Sequence, residues 1–517
     1  MITIPEFYRN RDVFITGATG FIMKVLIEKL FRSCSDVGRI FVLMREKRSK
    51  SINERLEDIK KMALFSLLLE KNPEIFNKLV PIEGDVTKNG MALSEESREM
   101  LKNVSIIFHS AASVRFDDNL KDAVILNTRG TLETIKFALT LKNLISFIHV
   151  STTYCYPNRE STNEEVYPVE CDWQKTIELA EKFDMETLEC FMPHYTGFLP
   201  NTYVFTKALA EKICESYKEQ LPITIVRPSI VVGTEIEPFG GWCDNYNGPV
   251  GLLTACGIGI MRTMHASWEA ILNCVAVDVV AKTVIVAAWK SAMENAKIQS
   301  MVNNGSMKQC NEQLRVYNCA SLHNMSLKLL VYEGQYAVRK FPFEKIVYMP
   351  GGGVTLCRFM NYFRIVCFQL TPAALIDLVL KLYGKKPFLL SLQRKIAHAS
   401  SALKTFVHTE WNFGVENFEK LRNGLLPEDE ETFSLQRKIE KDIDYYEVQI
   451  LGARRYLLKE CDSTLPACRR RIKYLLIFDT FMRFLLFGYI FYRIANKFGI
   501  FINYEGHYSN ETIIEKI

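Results

Sequence analysis

The chain has 517 residues, of which 48% are hydrophobic and 24% charged, a balance that excludes a mainly disordered or fibrous protein. Its length allows three domains of about 150 residues or two larger ones. Lysine and arginine number 64 against 59 aspartate and glutamate, and a net charge of +5 spread along the chain is not a nucleic-acid footprint.

The first 150 residues alternate short apolar runs with amphipathic stretches. Val13-Phe14-Ile15 reads as a buried strand and Lys24 to Ser33 as a helix. Further strands follow at Ile40 to Met44, Leu79 to Ile82, Val104 to Phe108, Ile145 to Val150 and Ile223 to Val226. Continuous apolar strands separated by helices predict a parallel sheet covered on both faces, a doubly wound α/β domain of about 280 residues. Past residue 345 the character changes. Gly351-Gly352-Gly353 reads as a loop, Phe359 to Tyr383 is strongly apolar, and Gln393 to Glu460 is helical with alternating charge. The acidic run 428–431 reads as a solvated loop or a helix start.

Tyr474 to Ile494 forms a further apolar run of 21 residues, about 31 Å as a helix and long enough to cross a bilayer core. Asp479 and Arg483 sit four apart inside it, where they can pair, and a helix lying in the interface is the other reading. Arg469, Arg470, Arg471 and Lys473 precede the run. That heavier positive flank predicts a membrane anchor with the large N-terminal part in the cytosol. Asn510-Glu511-Thr512 is a glycosylation sequon that matters only if the tail is lumenal. The 14 cysteines are scattered, with no C-x-x-C pair, and read as reduced cytosolic thiols; no metal site is expected. Met1 to Asn10 lacks the apolar core of a secretory signal.

Three segments carry chemistry. Thr16-Gly17-Ala18-Thr19-Gly20-Phe21-Ile22-Met23 follows the first strand and opens the first helix, where backbone N–H groups can meet a pyrophosphate. Met23 stands where the pattern calls for a third glycine, so this side chain must push the helix outward or find a pocket. The second strand ends in Met44-Arg45-Glu46-Lys47-Arg48, and Arg45 there suits the 2′-phosphate of NADP. Asp85, with Val86 after it, ends the third strand where it can meet an adenine. Ser151-Thr152-Thr153 closes the fifth strand, with Thr152 the first choice and Ser151 the second as a hydroxyl for a substrate carbonyl. Tyr203 and Lys207 share a helix face four residues apart, and a nearby ammonium is expected to lower the tyrosine pKa and make it a proton-transfer group. Cys155 is expected to pack rather than to act as a nucleophile. His109 is expected to pack under the cofactor loop.

These pieces resemble the extended short-chain dehydrogenase/reductases and, within them, the alcohol-forming fatty acyl-CoA reductases of animal type. The resemblance runs through TGATGFIMKVLIEKL (16–30), GDVT (84–87), FHSAASVRFDD (108–118), HVSTTY (149–154), PNTYVFTKALAE (200–211), IVRPSIV (225–231), GWCDNYNGPVG (241–251) and VYNCAS (316–321). TEWNFGVENFEKL (409–421) and YYEVQILGARRYLLKE (445–460) resemble the family's C-terminal helical domain. The resemblance implies a Rossmann domain over 1–345, a smaller helical domain over 355–460 and a membrane-associated helix over 474–494. It implies NADPH as cofactor, held also by Ala111, Asn127 and Pro228. The substrate implied is a long-chain acyl-CoA, reduced through a hemithioacetal and an aldehyde to a primary alcohol, with Thr152 and Tyr203 serving the oxyanion. It implies, too, that the C-terminal apolar region borders the acyl tunnel, and that the partner surface is membrane lipid of the endoplasmic reticulum or peroxisome. A sterol or lipid-alcohol dehydrogenase and a degenerate lipid-binding member of the fold stay open as other readings.

Overall fold

The computed structural model describes residues 2–47, 49–197, 199–303, 314–320 and 325–497. The sequon and Arg48 lie outside them, as does the side chain of Arg483. Named in chain order, the elements that position the site are β1 (Asp12–Thr16), α1 (Phe21–Ser33), β2 (Ile40–Met44), β3 (Leu79–Glu83), β4 (Val104–His109), β5 (Ser146–Val150), α2 (Thr202–Ser216), β6 (Ile223–Pro228), α3 (Val277–Asn303) and β7 (Arg315–Cys319). The strands form one seven-stranded sheet in the order β7-β6-β5-β4-β1-β2-β3, every neighbour parallel. The order reverses beside β1, and ligands of such sheets bind at that switch point, outside the carboxyl ends of the strands.

Side chains alternate across the sheet as the two-residue period requires. Val13, Ile15, Ile40, Val42, Ile106 and Ile148 enter one apolar cluster with α1 and α3. Phe14, Phe41, Ile107 and Phe147 enter a second with α2. Met23 is fully buried in the first cluster, so the missing third glycine is accommodated by a pocket between α1 and its neighbours.

Six of these strands are the predicted ones, with ends moved by one or two residues. The seventh, β7, was hidden because Asn318 interrupts its short apolar run. Here Asn318 is buried and satisfied: its amide donates to the carbonyls of Thr162 and Gly414 at 2.9 and 2.7 Å.

The chain after residue 400 returns to the sheet. Asn412–Phe413 pairs in parallel with Ser161–Thr162. Glu164 accepts from the backbone N–H of Asn318, Asn417 and Phe418. The acidic run opens the helix Pro427–Phe433, and Asp429 in it accepts from Ile4 N. The helix Asp442–Gly452 lies so close to residue 241 that a Cβ on Gly241, which has φ +78°, would run into the Val448 carbonyl. Two of the quoted motifs, 241–251 and 445–460, thus meet at backbone contact.

Residues 356–402 depart from expectation. Much of the apolar surface of Phe359 to Tyr383 faces outward: Phe359, Tyr362, Leu375, Leu378, Leu382 and Tyr383 are all exposed. A small apolar cavity is lined by residues such as Leu252, Cys256, Leu330, Val338 and Gly352.

Candidate functional site

The glycine turn links β1 to α1. Gly17 has φ +75°, and a Cβ there would lie 2.7 Å from the backbone of Ser110 and Ala111, so only glycine fits. Gly20 N donates to Gly17 O at 2.8 Å and closes the turn. Gly20 is the N-cap of α1 and no side chain caps the helix, so its first N–H groups are available to an anion, with Thr19 and Gly20 exposed beside them and Phe21 and Ile22 half-buried. These features fit a dinucleotide pyrophosphate. Thr16 and His109 brace the turn from below: Thr16 Oγ1 lies 2.7 Å from His109 Nδ1, and Thr131 Oγ1 lies 3.0 Å from Nε2. Burial, with the nearby Lys207 charge, holds His109 down to about 3, so it is a neutral packing residue.

At the ends of β2 and β3, Arg45 is exposed and ion-paired to Asp85 at 3.0 Å. Burial acts to raise the Asp85 carboxyl, but hydrogen bonds from Thr87 and the Arg45 guanidinium hold it below its ordinary value. The two residues expected to meet different parts of a cofactor therefore also hold each other. Arg55, which the sequence reading missed, donates to the Arg45 carbonyl and brings a second guanidinium to the same corner. Val86 is buried, and Ala111 is half-buried beside the glycine turn. Asn127 is buried and tied three ways: its amide donates to Ser113 O and to Thr206 Oγ1, and its oxygen accepts from Ser113 N. It thereby joins the loop after β4 to α2.

The residues expected to carry the reaction lie where β5 and α2 meet. Asn201 caps α2 by accepting from Val204 N. One turn in, Lys207 Nζ donates to Val150 O at 2.7 Å, at the last residue of β5. Burial draws the Lys207 ammonium down to about 8, with Glu211 acting against it. Thr152 lies near enough to Tyr203 to act on its phenol and accepts from Tyr154 N at 3.3 Å, whereas the Ser151 and Thr153 hydroxyls are buried without a protein partner among the described residues. The structure thus brings Thr152, Tyr203 and Lys207 together at the carboxyl edge of β5. Pro228 ends β6, buried opposite Cys319.

The Tyr203 phenol differs from expectation. Burial pushes it up, the Thr152 hydroxyl opposes this, and Lys207 is not among the groups that shift it. The phenol is therefore protonated at neutral pH, the form that donates. Cys155 is buried, its thiol pushed well above the ordinary value by burial and by Glu211, and it donates to Glu211 at 3.4 Å. It is a packing residue as expected.

Two groups around this edge were not singled out from the sequence. Glu211 and Arg227 form a fully buried ion pair at 2.6 Å; Arg227 also donates to the carbonyls of Asn163 and Glu165, and Tyr156 OH to Glu211. The signal was present: an arginine inside an apolar strand needs a buried partner. The second group is an aromatic wall in which Phe116 stacks on Phe406 at 5.2 Å and lies 5.8 Å from Tyr203. Tyr154 meets Phe406, Trp411 and Phe413 at 5.1 to 5.3 Å. Residues from beyond 400 thus stand beside the proton-transfer pair.

Comparisons with known proteins agree with this geometry. Two family models described as male sterility protein, one of them an NAD-binding model, match residues 15–284 and 368–460. Fatty acyl-CoA reductase 1 of Mus musculus is 37% identical over 475 residues, covering 91% of this chain and 89% of the relative. Fatty acyl-CoA reductase 2 of Homo sapiens is 34% identical over 476 residues, covering 92% and 90%. Among solved structures, the terminal R domain of the myxalamid PKS-NRPS pathway shares the fold, with TM-score 0.56 at 19% identity over 86% of this chain and 90% of that one. The R domain of a Mycobacterium tuberculosis nonribosomal peptide synthetase does so with TM-score 0.55 at 17% identity, covering 86% and 92%. With its nicotinamide-binding sheet and this level of identity along nine-tenths of its length, the chain belongs to the fatty acyl-CoA reductase family.

Proposed function

We propose that the protein reduces the thioester of a long-chain acyl-CoA to a primary alcohol with NADPH, with Tyr203, Lys207 and Thr152 as catalytic residues and Ser151 as a further hydroxyl at the same edge. The observation that carries this reading is the meeting of Tyr203, Thr152 and Lys207 at the end of β5, on the same sheet edge as the glycine turn. A bound nicotinamide supplies hydride to the carbonyl carbon. Tyr203 donates its proton to the developing oxyanion, and Thr152 donates a hydrogen bond to the same oxygen. The resulting hemithioacetal expels the CoA thiol and leaves an aldehyde, and a second round at the same hydroxyls gives the alcohol. The buried Lys207 ammonium, fixed on Val150 O, would hold the nicotinamide ribose hydroxyls.

Residues Thr16, Gly17, Thr19, Gly20, Phe21, Ile22, Val86, Ala111, Asn127 and Pro228 are proposed to hold the dinucleotide. The Arg45 and Arg55 corner supports NADPH over NADH, since two guanidiniums favour a 2′-phosphate and Asp85 is already engaged. A cavity touches Ala320, which packs in the aromatic cluster beside Tyr203. Its wall combines Val275, Val279 and Phe418 with Arg422 and Arg437. Apolar surface next to two guanidiniums suits an amphiphile with a fatty chain and an anionic carrier, each buried methylene contributing about 0.8 kcal/mol. We read 1–345 as the cofactor domain, 355–460 as the family's C-terminal domain and 474–494 as a membrane-attached segment that leaves the catalytic part in the cytosol.

The test is NADPH consumption with palmitoyl-CoA, with product identified by chromatography. Two equivalents of NADPH oxidised per alcohol formed supports the proposal. Turnover of sterols but not acyl-CoA, or tight NADPH binding with no turnover, overturns it.

A further inference from the structure

Residues 356–402 form a helical hairpin whose polarity is reversed. Its first arm is a near-continuous helix made of α4 (Arg358–Ile365), a turn of wider pitch and α5 (Thr371–Leu382); the second arm is α6 (Leu389–Ala402). Asn361, Gln369, Asp377 and Gln393 point inward. Asn361 accepts from Thr263 Oγ1 at 2.9 Å, Gln369 accepts from Arg262 N at 2.8 Å, and Gln393 donates to Ile260 O at 2.7 Å. Asp377 accepts from the N–H groups of Phe388, Leu389 and Leu390 at 2.9 to 3.0 Å, satisfying the start of α6 at the hairpin tip. The outward face is apolar: Phe359 is 76% exposed, Tyr362 67%, Leu375 58% and Leu382 77%. A helix on a water-facing surface has the opposite arrangement, and an apolar patch of this extent marks a binding face.

Charge and neighbourhood identify what covers that face. From 356 to 404 the sequence holds one acidic residue, the buried Asp377, against eight bases: Arg358, Arg364, Lys381, Lys385, Lys386, Arg394, Lys395 and Lys404. Apolar side chains ringed by exposed cations match the boundary between hydrocarbon and anionic headgroups. The long C-terminal helix, α7 (Leu465–Lys497), hangs on the same strip of the molecule. Its Asp479 accepts from Tyr348 OH at 2.9 Å, the Tyr348 ring lies 4.9 Å from the Arg262 guanidinium, and Arg262 N is the donor to Gln369. This helix repeats the reversal, with Cys468, Ile472 and Asp479 buried and Tyr474, Ile477, Phe481 and Phe484 exposed.

We propose that the 356–395 hairpin is a second membrane element, embedded in the plane of one anionic leaflet beside the C-terminal helix and not crossing the bilayer. Both arms are bonded to residues 260–263, which keeps the hairpin along the body. The membrane attachment proposed above concerned only 474–494, and the test separates the two. The full-length protein is bound to phosphatidylcholine vesicles containing phosphatidylserine and a diazirine-bearing phosphatidylcholine, irradiated and digested, and adducts are mapped by mass spectrometry. Adducts in both 356–390 and 465–497 are expected. Adducts confined to 465–497 overturn the hairpin proposal alone, and an absence of adducts in both overturns the attachment as well. The double variant Phe359→Glu/Leu378→Glu, both at exposed sites, is expected to lose the hairpin adducts while keeping those of 465–497 and its NADPH binding. Unchanged hairpin labelling in that variant counts against the proposal.

Discussion

The sheet half and the layer formed by 356–402 and 465–497 bury polar side chains with equal care but turn opposite faces to the outside. In the sheet half, apolar strands are sealed between helices, and the buried polar groups collect at one edge, where Thr152, Lys207, Glu211 and Arg227 are held by bonds to backbone and to each other. In the outer layer the buried polar groups, Gln369, Asp377 and Gln393, fasten helices to the body, and the apolar groups are left facing out. Burial of polarity thus means chemistry in one region and attachment in the other.

The comparison breaks most readily at the cleft. Tyr203→Phe removes the proposed proton donor and leaves the glycine turn intact. Alcohol formation is expected to fall by at least about 100-fold, with the NADPH dissociation constant unchanged in a fluorescence titration. Arg227→Met comes next. It strands Glu211 as an unpaired buried carboxylate, and breaking such a pair costs about 3–5 kcal/mol. A large drop in denaturation midpoint is expected by circular dichroism, with partial recovery in Arg227→Met/Glu211→Gln. Gly17→Ala forces a side chain into φ +75° and against Ser110, a strain of about 1–3 kcal/mol. The NADPH dissociation constant is expected to rise about tenfold or more in calorimetry. The pH profile is a milder probe. Lys207 carries its charge below about 8 and loses it above. Acyl-CoA reduction at saturating substrate is therefore expected to fall as pH rises through that value, and a flat profile from 7 to 9 contradicts the assigned role.

Much of the sheet half was legible because its signals are local. Each strand from β1 to β6 is a run of apolar residues, and the glycine turn and the Tyr203–Lys207 pair each span only a few residues of sequence. What escaped depends on contacts distant in the chain. Glu211 and Arg227 are 16 residues apart, and Asn318 is joined to Gly414 across 96. Phe406 and Trp411 reach the site from a segment read only as a helical region. The expected influence of Lys207 on Tyr203 also failed for this reason. Spacing places both on one helix face, but burial and Thr152 govern the phenol, and Lys207 is engaged with Val150 O. The stretch 359–383 was legible as apolar but its outward orientation was not, because composition does not say which face of a helix meets the body.

The smallest expected effect bears on that last point most directly. An exposed leucine contributes little to the folded state in water, whereas a buried aliphatic residue truncated to alanine costs about 2–5 kcal/mol through lost burial and the cavity left behind. Ile107 is fully buried in the sheet, and Leu378 is 54% exposed on the hairpin. Ile107→Ala is therefore expected to lower chemical-denaturation stability by that amount. Leu378→Gln is expected to stay within about 0.5 kcal/mol, the range of ordinary surface substitutions. The two residues have similar hydrophobicity, so the contrast isolates placement from composition. If Leu378→Gln costs as much as Ile107→Ala when both are measured in the same mild detergent, the outer face is packed against protein, and the division between the two regions fails at its simplest point.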